Sequence, residues 1–366
     1  MSKQLSSLAI VILNYNGMRN QYLERFIPSV CKYSTYPNTR IYVADNKSTD
    51  ESVDYLLSNG FELFIDKQQA LKSDSQRFLL KMNENYGFAQ GYNIALRRVE
   101  ADYYVLLNSD IEVGENWTEP IVELMERDPQ IAACQPKVRM FDQKELFEYA
   151  GAAGGWMDKW GYPFCRGRIF GKLEEDKGQY DDVSEIFWAT GAALFIRSEL
   201  YYQLDGFDNF YFAHMEEIDL CWRLKRAGYK IMCCPKSVVW HVGGGTLATG
   251  HPRKTYLNFR NSLFTILKND EHPFQVIAIR LLLDAVVGTR FLLSGKLKHT
   301  WAIVKAHWSF FRYLNRYRQK RKILKKTIKF CQYPNTKANY FGYYTRSIIW
   351  QYFVKRRKTF DRLPKK

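Results

Sequence analysis

The sequence lacks the cysteine patterns that cross-link small secreted domains or hold structural zinc. Its 366 residues include only seven cysteines, an odd number, and no two of them form a Cys-x-x-Cys pair. The first residues, MSKQLSSLAIVIL, also lack the charged, apolar and small-residue regions of a secretory signal. We therefore expect a reducing, cytoplasmic compartment, no disulfide framework and no cysteine-rich zinc site.

Acidic residues are scarce in the last quarter of the chain. Residues 271–366 contain 23 Lys and Arg but only three acids, a net charge of +20, whereas residues 1–270 carry a net charge of −4. Such an asymmetry indicates a polyanionic surface as partner, either nucleic acid or an anionic membrane.

No uninterrupted apolar stretch is long enough to predict a membrane-spanning helix. The nearest candidate, residues 276–295, contains Arg280, Asp284 and Arg290, which we expect on one stripe of a helix. With the cationic run at 316–329 behind it, this segment is typical of a helix that lies in the membrane interface. The alternative is an amphipathic helix that packs on the body and leaves a basic face in solvent.

Over the first 130 residues the sequence alternates strand and helix signals. Apolar runs predict strands at residues 8–13, 40–44, 61–65, 77–82 and 103–107. Helices are predicted at residues 19–34, at 88–99 and after the capping-box spacing of Ser48 to Glu51. Such a series implies a mostly parallel sheet flanked by helices, with ligands beyond the carboxyl ends of the strands. Asn14, Asp45 and Asp110 are expected at those ends.

The later chain is less regular. Residues 141–182, rich in glycine and aromatic residues, predict a long insertion that shapes a binding face. A strand with a glycine-bearing turn is predicted at 186–197, followed by a helix at 215–227 that ends at Gly228. KIMCC and SVVWHV predict two short late strands.

Four clusters at these predicted strand ends resemble the donor-binding half of family 2 glycosyltransferases. They are VILNYN (11–16), VADNKSTD (43–50), NENYGFAQGYNIAL (83–96) and LLNSD (106–110). The second half of that family is similar to residues 189–231 and to VVWHVGGGT (238–246). The resemblance covers roughly residues 6–265, and the subgroup it most resembles is the bacterial rhamnosyltransferase-like enzymes of surface polysaccharide assembly.

The resemblance implies a GT-A fold, which is a Rossmann-like α/β domain with a mixed, mostly parallel sheet flanked by helices. That domain is expected over residues 1–270, with a nucleotide-sugar-binding half (1–130) and an acceptor-binding half (131–270). Residues 271–366 are then expected to form a basic amphipathic helical extension that associates with a membrane.

The resemblance also implies a role for the polar residues at the strand ends. Asp110 matches the metal ligand of the family's Asp-x-Asp motif, Asn108 stands in place of the first Asp, and His241 matches a His that joins the metal shell in some relatives. A Mg²⁺ or Mn²⁺ ion held there would neutralise the diphosphate of the donor. Asp45 matches the residue that accepts the N3–H of uracil or thymine. The other implied donor contacts are Asn14, Asn16, Asn85, Gly87, Gly91 and Asn93.

An acidic trio, Glu216, Glu217 and Asp219, opens the helix predicted at 215–227, where the helix dipole favours ionised carboxylates. By resemblance, Glu217 is the general base that removes a proton from the acceptor hydroxyl. Glu216 and Asp219 are expected on the acceptor side of the site, together with Trp188 and Gly191. The alternative is that the acids only cap the helix.

The implied enzyme is an inverting hexosyltransferase that uses dTDP-rhamnose or a UDP-sugar. Its acceptor is expected to be a glycan or a polyprenyl-diphosphate-linked glycan of surface polysaccharide synthesis, and its location the inner face of the cell membrane, as a peripheral protein. A sugar-phosphate nucleotidyltransferase is one alternative, which NYNGMRN (14–20) disfavours because it is not the Gly-rich loop with Arg and Lys of that class. A nucleic-acid-binding protein is the other, but Asp45, Asp110 and the acidic trio would repel phosphates, so we expect no nucleic acid partner.

Overall fold

A ten-stranded mixed sheet forms the centre of the computed structural model, which describes residues 5–243 and 250–364. Its first strands are β1 (Leu8–Asn14), β2 (Thr39–Asp45), β3 (Glu62–Leu63), β4 (Arg77–Lys81) and β5 (Tyr103–Asn108). The helices between them are α1 (Tyr22–Tyr33), α2 (Ser52–Ser58), α3 (Lys67–Lys72) and α4 (Gly87–Arg98). These five strands pair in parallel, and β1 and β5 are buried almost throughout, which confirms the predicted α/β half.

One local prediction in this half is wrong. Helix α2 begins at Ser52, as predicted, but Glu51 makes no side-chain cap, and the Asp50 carboxylate accepts from the Ser52 N–H at 3.1 Å. The Ser48 hydroxyl instead donates to a carboxylate oxygen of Asp45, so the spacing of Ser48 and Glu51 does not form a capping box.

The chain then runs through the edge of the main sheet into a small second sheet. The elements on this path are β6 (Ile111–Val113), α5 (Glu119–Arg127) and β7 (Ile131–Met140), then β8 (Gly155–Asp158), β9 (Pro163–Cys165), β10 (Arg168–Ile169) and β11 (Lys172–Leu173). Strands β8 to β11 pair antiparallel. Part of the insertion predicted at 141–182 is therefore a regular sheet.

The return to the main sheet uses β12 (Ser184–Ile186), β13 (Ala193–Arg197), α6 (Ser198–Gln203), α7 (Glu216–Arg226) and β14 (Lys230–His241). The strand order is β12-β14-β7-β13-β5-β1-β2-β4-β3, with β6 paired to β14. The two strands predicted from KIMCC and SVVWHV are one strand, β14. Its register shifts between Cys234 and Val238, around Pro235, because proline has no N–H for the ladder.

Four helices follow, α8 (Pro252–Asn269), α9 (Pro273–Leu293), α10 (Leu297–Arg312) and α11 (Leu314–Phe330), and a short strand, β15 (Tyr343–Tyr344), pairs with β8. They pack on the body: Tyr317 stacks on Phe264 with ring centroids 3.8 Å apart, and Lys320 pairs with Asp208 at 2.6 Å. Among the described residues we find no helix with the length and apolar character needed to cross a bilayer.

The polar stripe predicted for α9 is only partly correct. Arg280 and Asp284 are buried against the body, but Arg290 is exposed, because ten residues of α-helix place it about 80° away from Arg280. Val276 and Ile277 of α9 are buried, whereas Leu282, Val286 and Leu293 face outward.

Candidate active site

The carboxyl ends of β1, β2 and β5 lie side by side in the sheet. Asn14 is in register with Asp45, and Leu13 is in register with Asn108. The structure therefore brings together the strand ends at which the sequence predicts a ligand site.

The Asp45 carboxylate holds its own loop. One oxygen accepts hydrogen bonds from the Asn14 amide (3.0 Å) and the Ser48 hydroxyl (2.5 Å), and the other accepts from the Ser48 backbone N–H (3.0 Å). The Asn14 side-chain oxygen is buried and has no partner. This oxygen lies against Gly17, where an added Cβ would clash with it, so Gly17 is needed to leave room for the Asn14 side chain.

A neighbouring asparagine, Asn46, was missed in the sequence although it follows Asp45 directly. Its amide nitrogen donates to the Asn85 side chain and to the Gly87 carbonyl, both at 3.1 Å, and its oxygen accepts from the Tyr86 N–H at 2.9 Å. In the same region Asn16 accepts from the Thr49 N–H at 2.7 Å. Asn16 thus connects the loop after β1 to the loop after β2, and Asn85 connects the loop after β2 to the start of α4.

Two of the predicted glycines allow close packing of α4. A Cβ on Gly91 would lie 3.1 Å from the methyl groups of Leu13, so Gly91 lets the helix approach β1. Gly87 has a φ of +73°, and a Cβ there would lie 2.6 Å from the ring of Phe212. Gly87 therefore lets the start of α4 meet the loop that precedes α7.

The donor contact predicted for Asn93 is replaced by a structural role. Its amide nitrogen donates to the Phe207 carbonyl at 2.8 Å, and its oxygen accepts from the Tyr201 hydroxyl (2.5 Å) and the Phe207 N–H (3.0 Å). Because its polar atoms are satisfied inside the fold, Asn93 fixes the 201–209 loop against α4.

Asp110 and His241 meet at the edge where β6 pairs with the end of β14. The His241 Nε2 lies 3.1 Å from an Asp110 oxygen and 3.5 Å from the Asn108 amide nitrogen. Burial by itself lowers the pKa of His241, but the carboxylates of Asp110 and Glu148 raise that pKa well above its ordinary value. Burial likewise raises the pKa of Asp110, but the nearby His241 outweighs burial, so the Asp110 pKa is lowered. A bound cation would require the neutral form of His241, because only an unprotonated ring nitrogen can ligate a metal.

Glu148 is a member of this corner that the sequence analysis missed. Its carboxylate is buried 3.5 Å from the other imidazole nitrogen, Nδ1, of His241. It lies in the irregular 141–182 segment, where no motif marks it. Residues 244–246 of the motif VVWHVGGGT lie outside the described residues.

The donor set at this corner fits a divalent cation only with help from a ligand. Among residues 5–243 and 250–364, no group of three or more His, Cys, Asp or Glu side chains is arranged to hold a metal ion. Asp110, His241 and Asn108 offer a carboxylate, an imidazole and an amide oxygen, which Mg²⁺ and Mn²⁺ accept. The remaining positions suit the oxygens of a diphosphate.

Helix α7 starts from a strained loop. Phe212, His214 and Met215 have φ values of 66°, 70° and 75°, a region that costs non-glycine residues roughly 1–3 kcal/mol each. Asn261 of α8 holds this loop, because its amide nitrogen donates to the carbonyls of residues 211, 213 and 214 at 2.8–3.1 Å. Such strain is common at functional sites.

Glu216 and Glu217, at the start of α7, each have a carboxylate oxygen that is buried without a partner. Burial raises the pKa of Glu217 to about 7, while burial and the neighbouring Glu217 raise the pKa of Glu216 well above its usual range. The residue before the helix, Met215, makes no side-chain cap. A carboxyl group with a pKa near 7 is suited to proton transfer at neutral pH.

The acceptor role predicted for Asp219 is wrong. Asp219 is fully buried and pairs with Lys268 (2.8 Å) and Arg223 (2.9 Å), and it accepts from the Asn269 amide (2.8 Å). Its side chain faces α8, which carries Lys268 and Asn269. Asp219 therefore fastens α7 to α8.

Trp188 and Gly191 have different surroundings. Trp188 is buried, packs against Gly155 and donates its indole N–H to the Trp156 carbonyl at 2.9 Å, so it supports the small sheet and does not line an open pocket. A Cβ on Gly191 would lie 3.5 Å from the Cβ of Glu217. The next carbonyl, of Ala192, accepts from the Asn108 N–H at 2.9 Å. This loop therefore joins the Glu217 corner to the Asp110 corner.

Residues 9–180 match the family model of glycosyl transferase family 2. The chain is 23% identical over 279 residues to an N-acetylglucosaminyl-diphospho-decaprenol L-rhamnosyltransferase of Mycobacterium tuberculosis (strain CDC 1551 / Oshkosh), covering 72% of this chain and 85% of that protein. It is 26% identical over 157 residues to the rhamnosyltransferase WbbL of Escherichia coli (strain K12), covering 41% of this chain and 58% of WbbL.

Solved structures with a similar fold include GalNAc-T7 with UDP, GalNAc and Mn²⁺, with a TM-score of 0.54 and 16% identity. That match covers 74% of this chain but about half, 49%, of the GalNAc-T7 chain. The fold is also similar to S. aureus TarS 1-349 in complex with UDP-GlcNAc, with a TM-score of 0.52, 13% identity and coverage of 90% and 93%. These likenesses confirm the predicted GT-A fold.

Proposed function

We propose that this chain, which belongs to glycosyltransferase family 2, transfers a sugar with inversion from a nucleotide-diphosphate donor to a lipid-linked glycan acceptor of surface polysaccharide. The observation that carries the proposal is the position of Glu217. Its carboxyl group has a pKa near 7 and one buried oxygen without a partner, and the Cβ and Cγ of its side chain face the loop at Gly191. The same loop accepts a hydrogen bond from the Asn108 N–H next to Asp110. A base is therefore linked by one rigid loop to the corner proposed for the diphosphate.

In the proposed reaction Glu217 takes the proton of an acceptor hydroxyl, and that oxygen attacks the anomeric carbon on the face opposite the diphosphate. Asn14, Asp45 and the loops held by Asn16, Asn46 and Asn85 bind the nucleoside. Asp110 and His241, with Asn108, would hold a Mg²⁺ or Mn²⁺ ion. When bound, such an ion supplies neutralisation of the leaving diphosphate. Glu216, whose pKa burial and the neighbouring Glu217 raise, lies beside Glu217 on the proposed acceptor side.

The substrates are proposed from the relatives. The name of the M. tuberculosis relative describes rhamnose transfer to N-acetylglucosaminyl-diphospho-decaprenol, and a second relative is also a rhamnosyltransferase. This supports dTDP-rhamnose as donor, with a UDP-sugar as the alternative, and a polyprenyl-diphosphate-linked glycan as acceptor. The Mn²⁺ and UDP in GalNAc-T7 support a divalent cation with a nucleotide donor.

A lipid-linked acceptor lies in a membrane, and we propose that the enzyme is peripheral on its inner, cytoplasmic face. The +20 charge of residues 271–366, proposed here as a membrane-associating extension of a domain at 1–270, supports this location. On α11 the side chains of Arg318, Lys322, Lys325 and Lys329 are exposed and free to face anionic headgroups.

The test is a screen of nucleotide sugars for thermal stabilisation, with and without Mn²⁺, followed by transfer to a polyprenyl-diphosphate-linked N-acetylglucosamine. We expect dTDP-rhamnose to raise the Tm most, and only when the metal is present. The shift should be measurable, because a ligand at 100 times its Kd stabilises the folded state by about 2.7 kcal/mol. NMR of the product should give the inverted anomer. Diphosphate release from a nucleoside triphosphate and a sugar phosphate, without transfer, would instead identify a nucleotidyltransferase.

A further inference from the structure

A row of large apolar side chains on α10 faces away from the rest of the fold. We call it the apolar ridge; it consists of Leu297, Trp301, Val304, Trp308 and Phe311. These residues recur every three or four positions and so form one continuous stripe. Their side chains are between 48% and 63% exposed, whereas Ala302, Ile303, Ala306 and Phe310 on the opposite face are buried. The ridge has no covering element within the described residues.

Helix α9, beside α10, also exposes its apolar side. Leu282 is 67% exposed and Leu293 is 84% exposed. Val276 and Ile277 near the start of α9 are buried, but further along the helix two polar side chains take the inner positions: the Arg280 guanidinium donates to the Gly161 carbonyl at 2.9 Å, and Asp284 is buried near it. In a helix that packs on a protein in water, apolar side chains usually occupy those inner positions. Two adjacent helices therefore present apolar side chains to the surroundings.

Cations border the ridge and acids do not. Lys298, Lys305 and Arg312 follow the ridge with a spacing of seven residues, each one position beyond a ridge residue, and all three are exposed. The Lys305 ammonium lies 5.7 Å from the Trp301 ring, and the Arg312 guanidinium lies 5.2 Å from the Trp308 ring. The sequence contains no acid between Asp284 and Asp361.

We propose that the apolar ridge of α10, with the exposed apolar side chains of α9, inserts into the interfacial layer of an anionic phospholipid bilayer. Indole rings and long cationic side chains favour the boundary between hydrocarbon and headgroups. The absence of acids from the sequence of α10 and α11 complements anionic headgroups. A helix of this kind lies in the interface plane and buries its apolar face there. The cations of α11 act differently, because they attract the bilayer from a distance without penetrating it.

The ridge lies next to the proposed catalytic loop. A cleft of about 370 Å³ separates the start of α8 from α10, and its lining includes Arg253, Tyr256, Lys298 and Trp301. The Arg253 guanidinium lies 4.6 Å from the ring of Phe212, five residues before Glu217. Insertion of the ridge therefore brings the Glu217 side of the site to the membrane surface. This consequence rests on the proposed function, whereas the insertion itself does not.

The test compares vesicle binding by the full-length chain and by the variant Trp308→Gln/Phe311→Gln, which changes no residue that lines the cleft and no buried residue of α10. With vesicles of phosphatidylglycerol and phosphatidylcholine we expect at least a tenfold loss of affinity in co-sedimentation. The matched control, Ile323→Gln/Phe330→Gln on α11, removes two exposed apolar side chains outside the ridge and should stay within twofold of wild type. Equal loss in both variants, or none in the ridge variant, overturns the proposal.

Three further measurements separate the possible outcomes. Brominated lipids should quench the tryptophan fluorescence of the wild-type chain, and less so in Trp308→Phe; absence of quenching overturns insertion. If the wild-type chain is a dimer, the ridge variant is a monomer and both bind vesicles equally, the ridge is an interface between two copies. That result also overturns the proposed insertion. Transfer to a water-soluble acceptor should be equal in wild type and ridge variant. If neither transfers any sugar, the proposed function fails while the vesicle result stands.

Discussion

Glu217 combines three properties at the scale of a single residue: an unpartnered carboxylate oxygen, a pKa near 7 and contact with the Gly191 loop. Its neighbours differ in kind. Burial and the neighbouring Glu217 raise the pKa of Glu216 well above its usual range, and Asp219 is held in ion pairs inside the fold. Among the three acids, Glu217 is the one that combines a pKa near 7 with a position at the Gly191 loop.

We predict that Glu217→Gln loses transfer by 10²–10⁴-fold and keeps its affinity for donor and metal, because only the proton acceptor is removed. Single-turnover transfer and calorimetric donor binding measure the two effects. As controls, Glu216→Gln should retain most transfer, and Asp219→Asn should lower the Tm while each folded molecule remains active. An inactive Glu216→Gln beside an active Glu217→Gln would move the base to the neighbouring residue.

The raised pKa of Glu217 also predicts two pH dependences. Transfer should rise about tenfold between pH 6 and pH 8, since the ionised fraction of a group with a pKa near 7 grows by that factor. The same pKa shift affects stability. Between about pH 4.5 and pH 7, Glu217 is protonated in the folded chain, whereas in the unfolded chain, where its pKa is near 4.5, it has lost that proton. The free energy of unfolding therefore falls as pH rises through that window. Glu217→Gln removes this loss, so its Tm advantage over wild type should be larger at pH 8 than at pH 5; an advantage independent of pH contradicts the assignment.

We predict that Asp110→Ala abolishes transfer and the metal-dependent part of donor binding. Asp110 is the only carboxylate at the end of β5, and the Asn108 beside it cannot replace its charge. Titration of dTDP or UDP with and without Mn²⁺ by calorimetry measures the effect. Asp110→Asn, which preserves the shape but not the charge, should behave in the same way, and metal-dependent binding that survives in both variants refutes the role of Asp110.

At the scale of secondary-structure elements, the start of α4 and the loop before α7 depend on one glycine. The backbone N–H groups of Phe88 and Ala89 both donate to the Phe212 carbonyl, at 2.9 and 3.1 Å. The loop before α7 therefore supplies the acceptor for the first N–H groups of α4. Gly87 makes this approach possible, because its φ is +73° and it has no side chain against the Phe212 ring.

We predict that Gly87→Ala lowers both stability and the rate of transfer. The left-handed conformation costs a non-glycine residue roughly 1–3 kcal/mol, and the added methyl group must displace Phe212 and with it the loop that carries Glu217. Gly171→Ala is the matched control, since a Cβ there meets nothing within 4 Å. Thermal unfolding and kcat decide the matter: Gly87→Ala with the Tm and kcat of the control would show that this contact is dispensable.

At the scale of the whole molecule, charge is separated between a slightly acidic body and a basic set of C-terminal helices. Deleting residues 316–329 is a poor test of this charge, because Tyr317 and Lys320 hold α11 to the body. The exposed Lys322, Lys325, Lys326 and Lys329 can be changed without those contacts.

We predict that replacing these four lysines by glutamine weakens binding to anionic vesicles and leaves the Tm unchanged. Each cation near an anionic surface contributes roughly 1 kcal/mol, and salt screens that attraction. Co-sedimentation at several salt concentrations measures it. If wild type and variant bind neutral and anionic vesicles equally well, electrostatic attraction is not the cause of membrane binding.

The sequence by itself determined the parallel α/β half, the polar residues at its strand ends, the acidic start of α7 and the basic C-terminal segment. Each of these is a local property: apolar runs mark buried strands, and the residue that ends a strand in a parallel sheet necessarily lies at the ligand edge. The resemblance to family 2 glycosyltransferases singled out Asp110 and His241, and the pairing of β6 with β14 brings these two residues together.

Only the tertiary structure decided which of the candidate side chains are free for a ligand. Asn93, Trp188 and Asp219 look like site residues in sequence, but partners that are distant along the chain bind them inside the fold. Glu148 enters the site from a segment without a motif, and the orientation of α9 and α10 is set by the buried Arg280 and Asp284. Burial and pairing depend on which faces meet across the fold, and those long-range contacts leave no local pattern from which they can be read.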